Sequence, residues 1–313
     1  MDERVTLPRK VLIREVGPRD GIQSEKAHVE TSRKVELIDA LSATGLQAIE
    51  AVSFVSPKAI PQMADAREVW EGIDRREGVF YSALVPNRKG AEIAADVGVD
   101  GMQVFIAASD SYNLKNVKRT VEESIPNVAE VMEVARGAGI PVQGTISTAF
   151  GCPYEGDISP ERVVQVSRWM MNEGITSISY GDTTGMGTPR RVREVVEALR
   201  ETLPDLELNM HFHDTRGTGL ANVLTALELG IDYFDASIGG MGGSPYAEGA
   251  TGNIATEDLV HMLIDMQIET GVDLDRLLDA ARLAQGLIEG RLPSKVLAAG
   301  PRWEVAGPVV RAS

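Results

Sequence analysis

Short apolar runs rich in β-branched residues alternate with longer helical segments along most of this chain. Several of the runs are almost entirely apolar, which is typical of parallel strands that are covered on both faces. The predicted strands are residues 11–16, 48–54, 79–85, 101–107, 142–147, 177–180, 208–213 and 233–238. Eight strand–helix units in succession predict an α/β fold, the (β/α)8 or TIM barrel.

The segments between the strands carry helix signals. Thr31–Ser42 has apolar residues at helical spacing, and Ser159 precedes a proline at the first position of another helix. Thr188 stands before Pro189 in the same way. An open, doubly wound sheet is the alternative fold, but no Gly-x-Gly-x-x-Gly motif follows the first predicted strand.

We expect residues 1–313 to form one domain. The barrel is predicted at about residues 10–270, since such a barrel needs about 250 residues. A C-terminal helical extension and tail follow at about 271–313, with one helix predicted at 273–292. Residues 294–313 are rich in Pro, Gly and Ala and are expected to be extended or partly mobile.

The formal net charge of −15 argues against a broad surface for nucleic acid or membrane, because both require clustered Lys and Arg. A local cationic site for an anionic small molecule is compatible with it. Cys152 is the only cysteine, which excludes an internal disulfide and fits a reducing compartment. We see no secretory signal and no apolar run near the roughly 20 residues of a membrane helix. We therefore expect a cytoplasmic protein.

Polar residues gather directly after several predicted strands, where the active site of a TIM barrel lies. The candidates are Arg19, Asp20 and Gln23 after the first strand, Glu50 in the second, Asp182 after the sixth, His211, His213 and Asp214 around the end of the seventh, and Ser244 and Asn253 in the glycine-rich loop after the eighth. Several also have structural interpretations: Glu50 as a buried partner of a lysine or arginine, Arg19 in an ion pair with Asp20 or Glu50, Asp182 as an N-cap or turn residue, and Asp214 as a helix cap. We assign no role to the remaining histidines, His28 and His261.

Two of the four histidines, His211 and His213, are two residues apart at the end of a predicted strand. Residues i and i+2 of a strand point to the same face, so both imidazoles can bind one metal ion. With an aspartate and an asparagine oxygen from the same rim, such a set favours Mg²⁺ or Mn²⁺, while Zn²⁺ fits as well. A pair of structural or exposed histidines is the alternative.

Five stretches identify a family. They are EVGPRDGIQ at 15–23, SFVSPK at 53–58, GCPYEG at 151–156, GDTTG at 181–185 and GATGNIATED at 249–258. They resemble the 3-hydroxy-3-methylglutaryl-CoA lyase family, one of the metal-dependent TIM-barrel groups that make or break Claisen-type carbon–carbon bonds. The resemblance covers about residues 10–300.

The resemblance implies roles for individual residues. Asp20, His211, His213 and Asn253 would bind the divalent metal. Arg19 would contact the thioester carbonyl and stabilise the enolate, Gln23 would lie near the substrate, and Glu50 and Asp182 would shape the acidic interior. His211 or a carboxylate would take the hydroxyl proton.

The reaction implied by the resemblance cleaves 3-hydroxy-3-methylglutaryl-CoA to acetyl-CoA and acetoacetate, chemistry that belongs to leucine degradation and ketone-body metabolism. An acyl-CoA would be the small-molecule partner, and a homodimer the assembly. The resemblance implies no redox cofactor.

Ser244 is a departure from the family pattern, which has an acid–base cysteine at that place in the loop. A thiol has a pKa near about 8.5, and a serine hydroxyl transfers protons far less readily. Three interpretations stay open: Ser244 relays a proton with assistance, the substrate is another branched 3-hydroxyacyl-CoA, or the chain mainly binds acyl-CoA. We do not expect Cys152 to replace the missing thiol. A condensing synthase of the isopropylmalate type is disfavoured, since such enzymes carry an acid where Ile22 stands.

Overall fold

A computed structural model of the chain describes residues 6–25, 27–243, 252–288 and 291–304. In these residues eight parallel strands follow one another around a closed barrel, and β1 pairs with β8 to complete it. The strands are β1 (Leu12–Glu15), β2 (Ala48–Ser53), β3 (Phe80–Leu84), β4 (Gly101–Ala107), β5 (Val142–Ser147), β6 (Ser177–Gly181), β7 (Glu207–His211) and β8 (Tyr233–Ala236). The predicted TIM barrel is confirmed.

Helices alternate with the strands and cover the barrel. They are α1 (Thr31–Ser42), α2 (Ala66–Gly72), α3 (Arg88–Val97), α4 (Asp110–Val117), α5 (Val121–Ala138), α6 (Pro160–Asn172), α7 (Pro189–Thr202), α8 (Gly219–Glu228), α9 (Thr256–Asp265), α10 (Leu274–Gln285) and α11 (Lys295–Ala299). In the described ranges, none of the helices is long and apolar enough to cross a membrane.

The helix signals in the sequence are confirmed in part. Helix α1 has the predicted bounds, and the Ser159 side chain accepts a hydrogen bond from the backbone N–H of Arg162 at the start of α6. Thr188 occupies the corresponding position before α7, but its side chain makes no capping hydrogen bond. Proline at the first helical turn is common to α6 and α7 and needs no N–H partner.

The predicted C-terminal helix is too long, and the predicted extended tail contains a helix. Helix α10 ends at Gln285, and α11 lies within the segment that was expected to be extended. The Asp258 carboxylate explains α11, since it accepts hydrogen bonds from the Ser294 hydroxyl and from the backbone N–H groups of Lys295 and Val296 (3.0, 3.0 and 2.7 Å). The contact spans 36 or more positions in sequence, so a local pattern does not reveal it.

His213 lies beyond the end of β7, although it was predicted to be part of that strand. The residue instead forms an isolated antiparallel bridge with Asn253 in the loop after β8. This bridge replaces the parallel ladder at the rim and fixes the His213 backbone against a segment 40 positions away in sequence.

Two buried glutamates accept hydrogen bonds from the backbone near the carboxyl ends of β1 and β8. Glu15, the last residue of β1, accepts hydrogen bonds from the N–H groups of Gly17 and Ile238 and from the Thr256 hydroxyl (2.7, 2.8 and 2.6 Å). Glu257 accepts one from the N–H of Gly239 at 3.0 Å, and its other oxygen has no partner among the described residues. Burial raises the pKa of each carboxyl to about 7, although these hydrogen bonds oppose the rise.

We predict that Glu257→Gln raises the melting temperature at pH 8 by a few degrees and has little effect at pH 5. The folded-state pKa of Glu257, about 7, lies above its ordinary value of 4.5. The carboxyl therefore contributes full stability below about pH 4.5, and that contribution is lost as the pH rises through 7. Thermal unfolding followed by circular dichroism across this range tests the prediction. Glu130→Gln, on the exposed face of α5, is the control, and an unchanged pH dependence in Glu257→Gln would contradict the assignment.

Candidate active site

A cavity opens at the carboxyl ends of the strands, as in other barrels of this topology. Four of its lining residues are charged or imidazole side chains predicted from the sequence, namely Arg19, Asp20, His211 and His213, and Gln23 lines it too. Apolar and hydroxyl side chains complete the wall, including Leu84, Phe105, Tyr112, Thr145, Ser147 and Thr183. The cavity thus combines a polar cluster with an apolar wall, which is the usual composition of a small-molecule site.

Asp20, His211 and His213 form a cluster whose potential ligand atoms all lie within 4.8 Å of one another. The Nε2 atoms of His211 and His213 are 3.2 Å apart. Burial, reinforced by the nearby His211, lowers the pKa of His213 to about 3, so its imidazole is neutral and offers a lone pair. Two imidazole nitrogens and a carboxylate oxygen at this spacing fit a divalent cation.

Asn253 joins this cluster through its side-chain amide. Its Nδ2 donates to Asp20 Oδ2 at 2.8 Å and to the Met241 carbonyl at 2.9 Å. Gly242 lies against the amide with φ +107°, and a Cβ there would come within 2.5 Å of Asn253 Nδ2. The structure therefore brings all four predicted metal ligands together, with the amide nitrogen of Asn253 facing Asp20. Binding of a metal through its carbonyl oxygen requires the amide to turn over.

Arg19 lies beside the cluster in a π-helical turn, Gly17–Gly21, directly after β1. Its Nε donates to Glu50 Oε2 at 2.7 Å, and its Nη1 donates to Asp20 Oδ1 at 2.6 Å. Burial alone would raise the pKa of Asp20. The opposing effect of Arg19 and the two histidines is larger, so the pKa lies below its ordinary value. Both ion pairs considered for Arg19 are present, and they hold the guanidinium at the cavity wall.

Glu50 and Asp182 are buried, and neither is among the described residues that line the cavity. Glu50 contacts Arg19 instead. Asp182 Oδ1 accepts a hydrogen bond from the Gly187 N–H at 2.9 Å, while Oδ2 has no partner in the described part of the chain. Burial raises the pKa of Asp182 to about 7, against the effect of the Gly187 bond. The predicted turn role of Asp182 is therefore present in the structure.

Gln23 and Asp214 differ in what their side chains contact. Gln23 Oε1 is buried at the cavity without a hydrogen-bond partner in the described ranges, so it can accept one from a ligand. Asp214 accepts a hydrogen bond from the Gly219 N–H at 3.0 Å, at the start of α8, and pairs with Lys295 at 2.5 Å. Asp214 thus has the helix-capping role that was its structural interpretation.

Cys152 and Ser244 are the two residues on which the proton-donor argument depends. Cys152 is fully buried, its sulfur lies 2.9 Å from the Ser109 hydroxyl, and it is not among the described cavity-lining residues. This position agrees with the expectation that Cys152 does not replace a catalytic thiol. Ser244 lies outside the described residues.

The sequence analysis missed two residues of the site, Asp235 and Arg14. Asp235 Oδ2 lies 3.1 Å from His211 Nδ1, and both residues line the cavity. Arg14 pairs with Asp235 at 2.7 Å. The available signal was charge inside two predicted strands, with Arg14 and Glu15 in residues 11–16 and Asp235 in residues 233–238.

The fold and the cluster define a TIM-barrel enzyme whose rim carries a candidate divalent-metal site. Comparison with known proteins then identifies the family. Residues 10–284 match the model of the HMGL-like family. The chain is 48% identical over 295 residues to the mitochondrial hydroxymethylglutaryl-CoA lyase of Gallus gallus, covering 94% of this chain and 99% of the relative.

Two further relatives agree. Identity is 47% over 290 residues with the cytoplasmic 3-hydroxy-3-methylglutaryl-CoA lyase of Mus musculus, covering 93% of this chain and 84% of that protein. A structure of an HMG-CoA lyase from Acinetobacter baumannii, in complex with coenzyme A and 3-methylmalate, is similar with a TM-score of 0.91 and 41% identity, covering 96% and 98% of the two chains.

The chain belongs to the HMGL-like family, as its motifs predict. It is an enzyme of the carbon–carbon lyase class, and its family depends on divalent metal. The identity of the metal and the roles of the individual site residues stay predictions.

We predict that the wild-type protein binds Mn²⁺ and that His213→Ala weakens this binding by at least about 100-fold, because the variant removes a neutral imidazole ligand. Isothermal titration calorimetry measures the affinity. His28→Ala is the matched control, since His28 is largely exposed. Equal affinity in His213→Ala and His28→Ala would contradict the assignment of His213.

Proposed function

We propose that this enzyme cleaves 3-hydroxy-3-methylglutaryl-CoA to acetyl-CoA and acetoacetate. A close branched 3-hydroxyacyl-CoA, giving the matching 3-oxo acid, is the variant of the same proposal. The observation that supports it most is the convergence of Asp20, His211 and His213 beside Arg19 on the barrel rim. This convergence occurs in a chain almost half identical to lyases named for that substrate.

Asp20, His211, His213 and Asn253 would hold the divalent ion, with Mg²⁺ or Mn²⁺ preferred and Zn²⁺ as the alternative. When bound, the ion supplies Lewis-acid chemistry that lowers the pKa of a coordinated hydroxyl. The oxygen- and nitrogen-rich donor set agrees with this preference.

Arg19 would stabilise the negative charge that develops on the thioester oxygen. Cleavage breaks the bond between the carbinol carbon and the CoA-side methylene, and the electron pair forms a thioester enolate. Glu50 and Asp20 already hold the Arg19 guanidinium at the cavity wall, so little reorganisation is required as the charge appears. Gln23 Oε1, which lacks a partner among the described residues, would hydrogen-bond the substrate.

Two protons have to move in this reaction. The hydroxyl proton leaves, and we propose His211 or a carboxylate near the rim as its acceptor. His211 is the acceptor we favour, because it lines the cavity, whereas Asp182 is buried and is not among the described residues that line it. The enolate then takes up a proton to give acetyl-CoA, and Ser244 would assist in that step.

An assay of acetyl-CoA release from 3-hydroxy-3-methylglutaryl-CoA, with Mg²⁺ or Mn²⁺ present and then with EDTA, tests the proposed function. Longer branched analogues run in parallel distinguish the two substrate variants. Retained thioester and metal binding without turnover of any substrate would favour the second candidate function, an acyl-CoA-binding homologue. The observation behind that candidate is Ser244 in place of a cysteine.

We predict that Arg19→Met lowers kcat by about 100- to 1,000-fold, the effect of removing one preorganised donor to a developing oxyanion. Steady-state kinetics with the metal held saturating measure it. Arg75→Met, a control on the outside of the barrel where Arg75 stacks on Trp70, should keep wild-type kcat. A change confined to KM in Arg19→Met would place Arg19 in ground-state binding only.

We predict that Ser244→Cys raises kcat, because a thiol with a pKa near about 8.5 donates a proton more readily than a hydroxyl. Cys152→Ala, tested alone and combined with Ser244→Cys, should leave kcat unchanged, since Cys152 is buried away from the cavity. Loss of activity in Cys152→Ala alone would instead indicate that Cys152 replaces the missing thiol.

We further propose one domain over residues 1–313, a homodimer and a cytoplasmic location. The family resemblance supports the dimer, and light scattering after gel filtration tests it. The single cysteine supports a reducing compartment, and the relatives comprise both mitochondrial and cytoplasmic forms.

A further inference from the structure

Three ionisable side chains lie at one level on three neighbouring strands inside the barrel. In the parallel ladders, Arg14 of β1 is paired with Asp235 of β8, and Asp235 is paired with His211 of β7. Paired residues of adjacent strands project to the same face of a sheet. The register therefore aligns an arginine, a carboxylate and a predicted metal ligand in one row.

Hydrogen bonds connect this row. Arg14 donates to both Asp235 oxygens, from Nε to Oδ1 at 2.9 Å and from Nη2 to Oδ2 at 2.7 Å. Asp235 also accepts from the Ser179 hydroxyl and the Asn209 amide, each at 2.9 Å. Arg14 is 3% exposed and Asp235 is 2% exposed. A bidentate pair with this burial is geometrically rigid.

Asp235 determines which nitrogen of His211 carries the proton. Both Asp235 oxygens accept hydrogen bonds from the Arg14 guanidinium, and a carboxylate in such a bidentate pair accepts hydrogen bonds from its other neighbours too. His211 Nδ1, 3.1 Å from Asp235 Oδ2, must then be the donor. In the neutral ring this leaves the lone pair on Nε2, the atom that faces His213.

Arg14 borders the active-site cavity and also a second cavity at the amino ends of the strands. Direct binding of substrate by Arg14 is disfavoured, because two of its nitrogens bind Asp235 and the third, Nη1, donates to Gln143 Oε1 at 2.5 Å. Its contacts point instead to an indirect role.

We propose that Arg14 is a positioning residue for the metal site: by fixing Asp235 with a bidentate pair, it orients His211 and keeps its Nε2 available to a cation. This inference rests on the proposed metal site. Outer partners that orient a metal-binding histidine typically change metal affinity by about 10- to 100-fold when removed.

Arg14→Lys is the decisive variant, since it keeps the positive charge and removes the bidentate geometry. We expect Mn²⁺ affinity to fall about 10-fold in Arg14→Lys and by about 10- to 100-fold in Asp235→Asn. We expect Arg14→Lys to add little further loss in the Asp235→Asn background, because both changes break one chain of contacts. Electron paramagnetic resonance of free Mn²⁺ measures each affinity.

Arg14→Met separates positioning from electrostatics. A purely electrostatic role predicts tighter Mn²⁺ binding when this positive charge is removed, whereas positioning predicts weaker binding. Lys34→Met is the matched control, because Lys34 is also a buried cation, bound to Asp65 at 2.7 Å away from the metal cluster. Its Mn²⁺ affinity should equal that of the wild type.

The outcomes are distinguishable. Wild-type protein that binds no Mn²⁺ would overturn both the metal site and this inference. Wild-type binding with equal affinity in Arg14→Lys, or tighter binding in Arg14→Met, would overturn the role of Arg14 alone. Thermal melts identify any variant that does not fold, and the charge-conserving Arg14→Lys then decides the question.

Discussion

The pairing of β1 with β8 closes the barrel, and the candidate site depends on that closure. It brings together residues from the two ends of the chain: Arg14 with Asp235, 221 positions apart, and Asp20 with Asn253, 233 positions apart. A hydrogen bond between Thr256 and Glu15, 241 positions apart, stabilises the same region of the barrel. Loop closure over such distances costs conformational entropy, and the paired β1 and β8 strands hold these residues together against that cost. The cluster of predicted metal ligands therefore depends on the whole fold.

Charge at the site is balanced locally although the whole chain is acidic. The net charge is −15, yet each buried carboxylate that contacts an arginine at the rim is neutralised by it: Glu50 by Arg19, and Asp235 by Arg14. Asp20 is also bound by Arg19, which keeps it ionised. A buried carboxylate without such a partner has a raised pKa, as Asp182 and Glu257 show. The arginines thereby set which acids are charged and which can exchange protons near neutral pH.

The sequence predicted the barrel because periodicity and strand length are local properties, and β4 and β5 have the predicted bounds. It also placed Asp20, His211 and His213 on one rim. The predicted end of β7 was wrong, because His213 forms a bridge with Asn253 instead of extending the parallel strand pairing. Arg14 and Asp235 were missed, because the sequence does not show that these two charged strand residues are partners. The register of β1 against β8 shows it. Helix α11 depends on Asp258, again a contact distant in sequence.

The Arg14–Asp235 pair has a consequence for the depth of the rim cavity. Arg14 lines both the rim cavity and the cavity at the amino ends of the strands, and Asp235 lines the rim cavity. This buried ion pair, held by four further hydrogen-bonding groups, forms part of the wall between the two cavities. Because Arg14 lines both cavities, its side chain limits how far a molecule bound at the rim can extend toward the amino ends of the strands.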